Sequence, residues 1–208
     1  MYVPPAFKDD DTTSLRAMIR QSRLANLITT TASGLMATPL PLLLDDSVGE
    51  HGLLLGHMAK ANPQWSSPPL AEALVIFMGP DAYVSPSFYK TKAETGKVVP
   101  TWNYVTVHAY GSVEFFDDPE RLLKAVSRLT NQHEGERPSP WKVSDAPDAY
   151  VQSQLRGIVG VEITITRLEG KRKLSQNRNA ADREGVIEGL GESLSEDGQT
   201  IAALMKAT

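Results

Sequence analysis

Apolar and polar residues alternate most regularly along the stretch from Val105 to Phe115. One face of this stretch carries Val105, Val107, Ala109, Val113 and Phe115, and the other carries Thr106, His108, Tyr110, Ser112 and Glu114. A period of two residues is that of a β-strand with one face in a core and one face lined by polar groups. The pattern therefore predicts a strand here.

Five further stretches have strand character, and turn residues separate them from one another. The predicted strands are Leu24 to Thr31, Leu35 to Leu44, Gly52 to His57, Ala73 to Phe77 with a continuation to Val84, and Val159 to Ile165. The second of these contains Pro39 and Pro41. Because proline has no N–H to donate to a ladder, that strand is expected at an edge or with a bulge.

Helical periodicity is found mainly late in the chain. A short helix is expected from Thr12 or Thr13, and a longer one from Asp118-Pro119, which suit the N-cap and first turn. Another opens near Asp145 and runs to about Arg156. The segment after Gly170 is predicted as a basic loop, followed by an acidic tail with a short helix around Ile201 to Lys206.

These elements favour a mainly β fold, a small antiparallel barrel with peripheral helices. A parallel, doubly wound sheet would need a helix between most strands, and the pattern has none there. The length of 208 residues suggests one domain over residues 1–190. Residues 191–208 are expected to form a C-terminal tail, partly disordered or carrying the short helix.

Composition narrows the function. The chain has no cysteine, which excludes disulfides, thiolate catalysis and cysteine-ligated zinc. No signal peptide is visible, and no apolar segment approaches the roughly 20 residues of a membrane helix, so a cytoplasmic protein without membrane contact is expected. The net charge of -4 gives a DNA-binding role no support.

Three segments carry candidate binding chemistry, and each has a plain structural alternative. The first is Gly56 to Trp65, where His57 and Lys60 at a strand end suit a phosphate. The alternative is a solvated lysine and a histidine bonded to a loop carbonyl.

The second candidate segment is Pro100 to Tyr104, which places two aromatic rings beside a hydroxyl and a carboxamide. The segment from Asp81 to Lys90 precedes it and offers further hydroxyls and aromatics for the same cavity, or is a loop that holds itself together. A ligand with a flat ring and polar edges suits this set, although a strand start whose aromatics cap the core would produce it too. The third is Lys171 to Arg178, in which amide and hydroxyl side chains lie between cations. It suits a heterocycle edge or an anion, or is simply a solvated loop.

Nucleophilic and metal-binding patterns are missing from the sequence. The four histidines show no metal spacing such as H-E-x-x-H, so no metal site is predicted. There is no G-x-S-x-G elbow, P-loop or G-x-G-x-x-G motif, and no catalytic acid or base is evident.

The chain resembles the PaiB family of FMN-binding negative transcriptional regulators. The segments that carry the resemblance are GHMAKANPQW, IFMGPDAYVSPSFY, KAETGKVVPTWNYVTVHAYG, the segment from Pro140 to Pro147, and GKRKLSQNR. The resemblance implies an FMN-binding split β-barrel, similar to pyridoxamine 5'-phosphate oxidase. It also implies a homodimer with the flavin at the interface.

The resemblance also implies which residues bind the cofactor. The implied FMN contacts are His57, Met58 and Lys60 on the phosphate side, Thr101, Asn103 and Tyr104 in the cavity, and Lys173, Ser175, Gln176 and Asn177 in a late loop.

The sequence departs from the family pattern at three places. Pro39 replaces a usual histidine in T-H-L-P-F, Arg172 stands where tryptophan is common, and residues 22–25 replace a typical H-P-F-G. The loss of a histidine and an aromatic bears on flavin affinity.

Three functions are compatible with this sequence. The first is an FMN-binding transcriptional regulator that acts as a homodimer. The second is an FMN-dependent oxidoreductase acting on a small molecule, since the flavin itself supplies the redox chemistry. The third is a split-barrel binding module that has lost its flavin.

Overall fold

The computed structural model describes residues 1–22 and 24–208, so Arg23 of the divergent segment 22–25 lies outside the described residues. Eight strands are present in the described part: β1 (Lys8–Asp9), β2 (Ala25–Thr31), β3 (Gly34–Leu40), β4 (Leu42–Asp45), β5 (Leu53–Ala59), β6 (Ala73–Val84), β7 (Thr101–Phe116) and β8 (Ile158–Lys173). The fold is mainly antiparallel β with peripheral helices, as the sequence predicts.

Six α-helices accompany these strands in the same residues: α1 (Thr12–Gln21), α2 (Thr91–Thr95), α3 (Pro119–Glu134), α4 (Asp148–Leu155), α5 (Ala180–Gly191) and α6 (Glu196–Lys206). Short 3-10 turns lie at Pro5–Phe7, Pro86–Phe88 and Val143–Asp145. The start of α3 is confirmed, because the Asp118 carboxylate caps the helix by accepting a hydrogen bond from the Arg121 N–H. Within the described ranges, no helix combines the length and apolar content needed to cross a membrane.

The strands are hydrogen-bonded in the order β3-β2-β6-β7-β8-β5-β4, with β1 added to β8. The predicted second strand is confirmed as an edge, but the prediction of one continuous strand is wrong. The run breaks at Pro41 into β3 and β4, which lie at the two ends of the order. A single residue, Pro41, joins the two end strands along the chain, and β3 and β4 remain the edges of the strand order.

Clustering of residue contacts divides the chain into two compact units. Unit 1 consists of Met1–Met18, Met78–Val107 and Glu169–Thr208, and unit 2 consists of Ile19–Phe77 and His108–Leu168. Strands β6, β7 and β8 each contain residues of both units. The single domain over residues 1–190 stays a prediction from sequence.

Unit 2 has a core under helix α3. The buried members of this core are Leu43, Leu55, Phe116, Leu122, Ala125, Leu129 and Leu155. Gly160 of β8 is required here, because a Cβ at that position would lie 2.1 Å from the Phe116 ring. Helix α3 therefore packs on the sheet through its apolar face, with Leu122 and Leu129 buried.

Unit 1 contains two helices where the sequence predicts mainly loop and tail. Helix α5 is not predicted at all, and α6 begins at Glu196, earlier than the expected helix around Ile201 to Lys206. Helix α5 has an N-cap, since the Asn179 side chain accepts from the Asp182 N–H. Its glycines obscure the helical pattern. They allow close packing, because a Cβ at Gly185 would lie 2.1 Å from the Phe88 carbonyl oxygen.

This contact predicts opposite effects for two glycine substitutions in α5. Gly185→Ala is expected to lower the free energy of unfolding by about 1–3 kcal/mol, because the added methyl group overlaps the Phe88 backbone. Gly191→Ala is the matched control, since no atom lies within 4 Å of its Cβ position. It should leave stability unchanged or raise it by up to about 1 kcal/mol through helix propensity. Urea denaturation of the three proteins checks this, and equal effects would contradict the close packing.

Candidate functional site

The candidate residues of unit 1 meet where β7 begins and β8 ends. Lys173, the last residue of β8, donates through Nζ to the Thr101 hydroxyl at 2.6 Å and to the Trp102 carbonyl oxygen. The prediction of a loop from Lys171 onward is wrong, because Lys171 to Lys173 continue β8. The structure thus brings Lys173 to the segment that contains Thr101.

A buried polar pair lies directly behind this contact. Asn103 is fully buried, and its Nδ2 donates to Ser175 Oγ at 2.9 Å. Ser175 is also buried, and its backbone adopts a φ of 61°, which is rare for a residue other than glycine. The hydrogen bond therefore holds the turn after β8 in a conformation that the backbone alone disfavours.

Gln176 closes the same turn with its own side chain. Its Oε1 accepts from the Leu174 N–H at 2.7 Å, and its Nε2 donates to the Arg172 carbonyl oxygen at 2.6 Å. Both ends of the amide are used inside the turn. Asn177, the next residue, is exposed.

Positive charge accumulates around this turn. We use the term basic cluster for Lys171, Lys173 and Arg178. The pKa of the Lys173 ammonium is lowered first by burial and then by the charges of the other two members. Among the described residues, neither Lys171 nor Lys173 has a carboxylate in ion-pair contact.

Aromatic rings lie beside the basic cluster. The Lys171 ammonium is 5.1 Å from the centroid of the half-buried Tyr104 ring, within cation–π range. The Arg178 guanidinium lies 4.6 Å from the centroid of the Tyr89 ring. Trp102 is about half exposed and meets the Tyr83 ring edge-on at 6.0 Å.

Arg172 is not part of the basic cluster, although it lies between two of its members. Its guanidinium donates to the Ser14 hydroxyl at 3.2 Å and lies 4.0 Å from the Asp9 carboxylate. Alternate residues of a strand point to opposite faces, so Lys171 and Lys173 share a face that Arg172 does not. At this position, where the family commonly has tryptophan, the chain has a cation paired with an acid.

The remaining candidates, His57, Met58 and Lys60, belong to unit 2. Met58 is buried, and the half-buried His57 has a lowered pKa because burial disfavours the charged imidazole. Its Nδ1 is buried without a hydrogen-bond partner in the described residues. Lys60 is exposed, and its ammonium lies 3.2 Å from the Asp117 carboxylate.

The motif that follows Lys60 has a structural role. Gln64 is fully buried, and its carboxamide accepts from the Thr38 hydroxyl at 2.5 Å and donates to the Thr29 hydroxyl at 3.0 Å. Asn62 donates to the same Thr38 hydroxyl at 2.8 Å. The motif therefore fastens the segment after β5 to strands β2 and β3.

Lys171 and Arg178 lie at the two ends of the third candidate segment, but they are not among the cofactor contacts that the resemblance implies. The signal that identifies Lys171 is alternation, because a strand continued past Ile165 places it on the same face as Lys173. The basic and polar residues from Lys171 to Arg178, interrupted only by Leu174, conceal that continuation. For Arg178 and Tyr89, only the folded chain shows the contact.

The cofactor implied by the resemblance fits the residues of unit 1. FMN combines an anionic phosphate with a flat ring system, and the basic cluster offers two cations without acidic partners beside Tyr104. In the described residues, no group of three or more His, Cys, Asp or Glu side chains could hold a metal ion.

Asp182 fixes the position of α5 next to Arg178. The buried carboxylate accepts from the Thr91 N–H at 2.8 Å and from the Thr91 hydroxyl at 2.9 Å. The backbone hydrogen bond from Thr91 is the main cause that lowers the pKa of Asp182 below its ordinary value of 3.8. The charged form is thus preferred in the folded protein.

Comparison with known proteins identifies relatives along nearly the whole chain. Residues 1–167 match the family model described as "Putative FMN-binding domain". A protein of Emericella nidulans is 37% identical over 242 residues, covering 99% of this chain and 96% of that protein. The protease synthase and sporulation protein PAI 2 of Bacillus subtilis is 33% identical over 207 residues, covering 99% of this chain and 97% of that protein.

A solved structure has the same fold. The FAD and heme binding protein from Mycobacterium smegmatis superposes with a TM-score of 0.60 at 14% identity, covering 85% of this chain and 78% of that chain. At that identity the similarity concerns the fold alone, and it agrees with the split barrel expected from the sequence.

The contacts of Asp182 generate a prediction about pH. A group whose pKa is depressed by folding stabilises the protein above its unfolded pKa, and this contribution is lost as the pH falls through the folded value. Asp182→Asn should therefore lower the free energy of unfolding at pH 7 by about 1–3 kcal/mol. The difference from wild type should shrink as the pH is lowered below 3.8.

Urea denaturation between pH 7 and pH 3 measures this difference. Glu184→Gln, an exposed change in the same helix, is the control and should alter stability by less than about 0.5 kcal/mol. A difference between Asp182→Asn and wild type that stays constant down to pH 3 would show that the charge of Asp182 is not involved.

Proposed function

The chain belongs to the FMN-binding PaiB family, and from that premise we propose that this FMN-binding protein is a negative transcriptional regulator that acts as a homodimer. The relative from Bacillus subtilis is named for protease synthesis and sporulation, which supports a regulatory role for this chain. When bound, FMN supplies a redox-active ring that can report the state of the cell.

The basic cluster is the observation that supports FMN binding in this proposal. Two lysines without carboxylate partners, in a chain of net charge -4, leave a local excess of positive charge that an anion would neutralise. Tyr104 adds an aromatic surface beside these charges. We propose that Lys171 and Lys173 attract the FMN phosphate.

The other residues of unit 1 have two kinds of proposed role. The first role is to stabilise the turn after β8, and it belongs to Asn103, Ser175 and Gln176. Their polar atoms already form hydrogen bonds with one another or with the turn backbone. Thr101, Tyr104 and Asn177 are proposed to contact the cofactor. In unit 2, His57, Met58 and Lys60 remain the alternative phosphate-side residues, favoured by the unpartnered Nδ1 of His57.

A second candidate function is a flavin-dependent oxidoreductase acting on a small molecule. The cofactor favours it, because bound FMN would supply the redox chemistry without a catalytic acid or base of the protein. The two functions differ in turnover. A regulator holds its flavin without rapid consumption of NADH or NADPH, whereas an oxidoreductase is reduced by one of them and reoxidised by a substrate.

The homodimer is supported by an exposed apolar edge of unit 2. Strand β3 ends the sheet order, and Leu35 within it is exposed. Leu70 is also exposed, and its N–H donates to the carbonyl oxygen of Thr30, the residue opposite Leu35. A bare edge strand with adjacent leucines is stabilised when a partner covers it.

The FMN titration is the first test. Lys173→Ala should weaken FMN binding by about 1.5–3 kcal/mol, or about 10- to 150-fold in Kd, because a charge-assisted contact is lost. Lys124→Ala, which removes an exposed lysine of α3, should change Kd less than twofold. A loss confined to Lys60→Ala would place the phosphate at the end of β5 instead.

The same variants test regulation in cells. Transcripts controlled by the protein should rise when its gene is deleted and fall again with wild type or Lys124→Ala, but not with Lys173→Ala. Unchanged transcripts together with rapid reduction of bound FMN by NADPH would favour the oxidoreductase.

The dimer is tested by light scattering after gel filtration at micromolar concentration. Wild type should have twice the mass of one chain, and Leu35→Lys should shift the population toward monomer because it places a charge on the apolar edge. Lys97→Glu, at an exposed loop position of unit 1, serves as the charge control. A monomeric wild type would exclude the homodimer.

A further inference from the structure

Unit 1 contains a cavity that the proposed flavin contacts do not use. Its volume is about 420 Å³, and it lies between strands β6 and β7 and the segment that joins α5 to α6. The lining residues are Asp81, Ala82, Tyr83, Trp102, Leu190, Ser193, Ser195, Asp197 and Gly198. Two aromatic rings, two carboxylates and two hydroxyls thus face one space.

The cavity has a negative charge. Asp81 and Asp197 line it, and neither forms an ion pair among residues 1–22 and 24–208. No lysine or arginine is among its lining residues. Lys173 approaches Trp102 only at its backbone carbonyl. A ligand that neutralises these carboxylates must carry positive charge.

The N-terminus of α6 does not reverse this charge. Its positive end is already occupied, because the Ser195 hydroxyl accepts from the Gly198 N–H at 3.4 Å. Glu196 and Asp197 in the first turn further oppose the helix dipole. An anion placed here would meet two carboxylates, so the site disfavours the FMN phosphate.

The aromatic pair defines the second requirement of the ligand. Tyr83 and Trp102 are each about half exposed and meet edge-on, with ring centroids 6.0 Å apart and an interplanar angle of 69°. Exposed aromatic rings that border a cavity attract a cation through their faces and an apolar body through contact area. Ser193 and Ser195 supply hydroxyls for the N–H groups of the same ligand.

We propose that this cavity binds a small organic ammonium compound with an apolar body, at a site separate from that of the flavin. The carboxylates of Asp81 and Asp197 neutralise the ammonium group, and the rings of Tyr83 and Trp102 hold the apolar part. The proposal does not depend on FMN binding or on the regulatory role, because it uses none of the residues of the basic cluster.

Three probes that share a benzene ring and differ in the charge of the attached group test the ligand class. Benzylamine is positive at neutral pH, benzyl alcohol is neutral, and benzoate is negative, while all three share the same ring. Calorimetric titration of the full-length protein at low ionic strength should give a Kd for benzylamine at least about 10-fold lower than for benzyl alcohol, with no binding of benzoate. Equal affinities for benzylamine and benzyl alcohol would overturn the proposal.

Two neighbouring residues of α6 provide a matched pair of variants. Asp197→Asn removes a carboxylate that lines the cavity, and it should raise the Kd for benzylamine about fivefold. Glu196→Gln removes a carboxylate that does not line the cavity, and it should change this Kd less than twofold. Both remove one acid from the first turn of the same helix, so their effects on folding should match. Equal losses of binding would contradict a direct role of Asp197.

Two further experiments complete the test, one with the variant Trp102→Phe and one with added FMN. Benzylamine should quench tryptophan fluorescence in wild type, and most of this quenching should be lost in Trp102→Phe, although an aromatic ring remains. Benzylamine should bind equally well with and without saturating FMN. Competition between the two would show that the cavity belongs to the flavin site and would overturn a separate ammonium site. Failure of FMN to bind would leave the benzylamine result unchanged.

Discussion

The buried hydrogen bond between Asn103 and Ser175 is the interaction on which the arrangement of unit 1 depends. A fully buried carboxamide must find partners, since an unpaired polar group costs free energy of the same order as the hydrogen bond itself. Ser175, which supplies a partner, has a left-handed backbone, and that conformation turns the chain at the end of β8. The uncharged pair of Asn103 and Ser175 therefore sets the positions of Lys173 before this turn and of Arg178 after it.

Unit 1 separates its charges into two places. The basic cluster has lysines without acidic partners, and the cavity beside α6 has carboxylates without basic partners. The two places therefore differ in sign, and the two proposed ligands, an anionic cofactor and an organic ammonium compound, differ in sign in the same way. Trp102 belongs to both places, because its backbone carbonyl accepts from Lys173 while its ring lines the cavity.

Much of the fold could be predicted because its signals are local. The alternation around Val107 and the Asp118 cap each involve residues close in sequence, and both are confirmed. Predictions were wrong where a local signal was ambiguous. Proline indicated an edge strand but not that the run splits at Pro41, and the polar residues after Lys173 made the end of β8 resemble a loop. In α5, glycines that allow packing against Phe88 hid the helix.

The sequence by itself determined the fold class, the family and the segments that contain the candidate binding residues, because periodicity, caps and long motifs are properties of consecutive residues. Only the tertiary structure decided which of those residues are partners. Asn103 meets Ser175 across 72 positions, Lys60 lies beside Asp117, and Gln64 of a family motif is used inside unit 2. The physical reason is that ion pairs and buried hydrogen bonds depend on distance in space, and neither composition nor spacing along the chain encodes that distance.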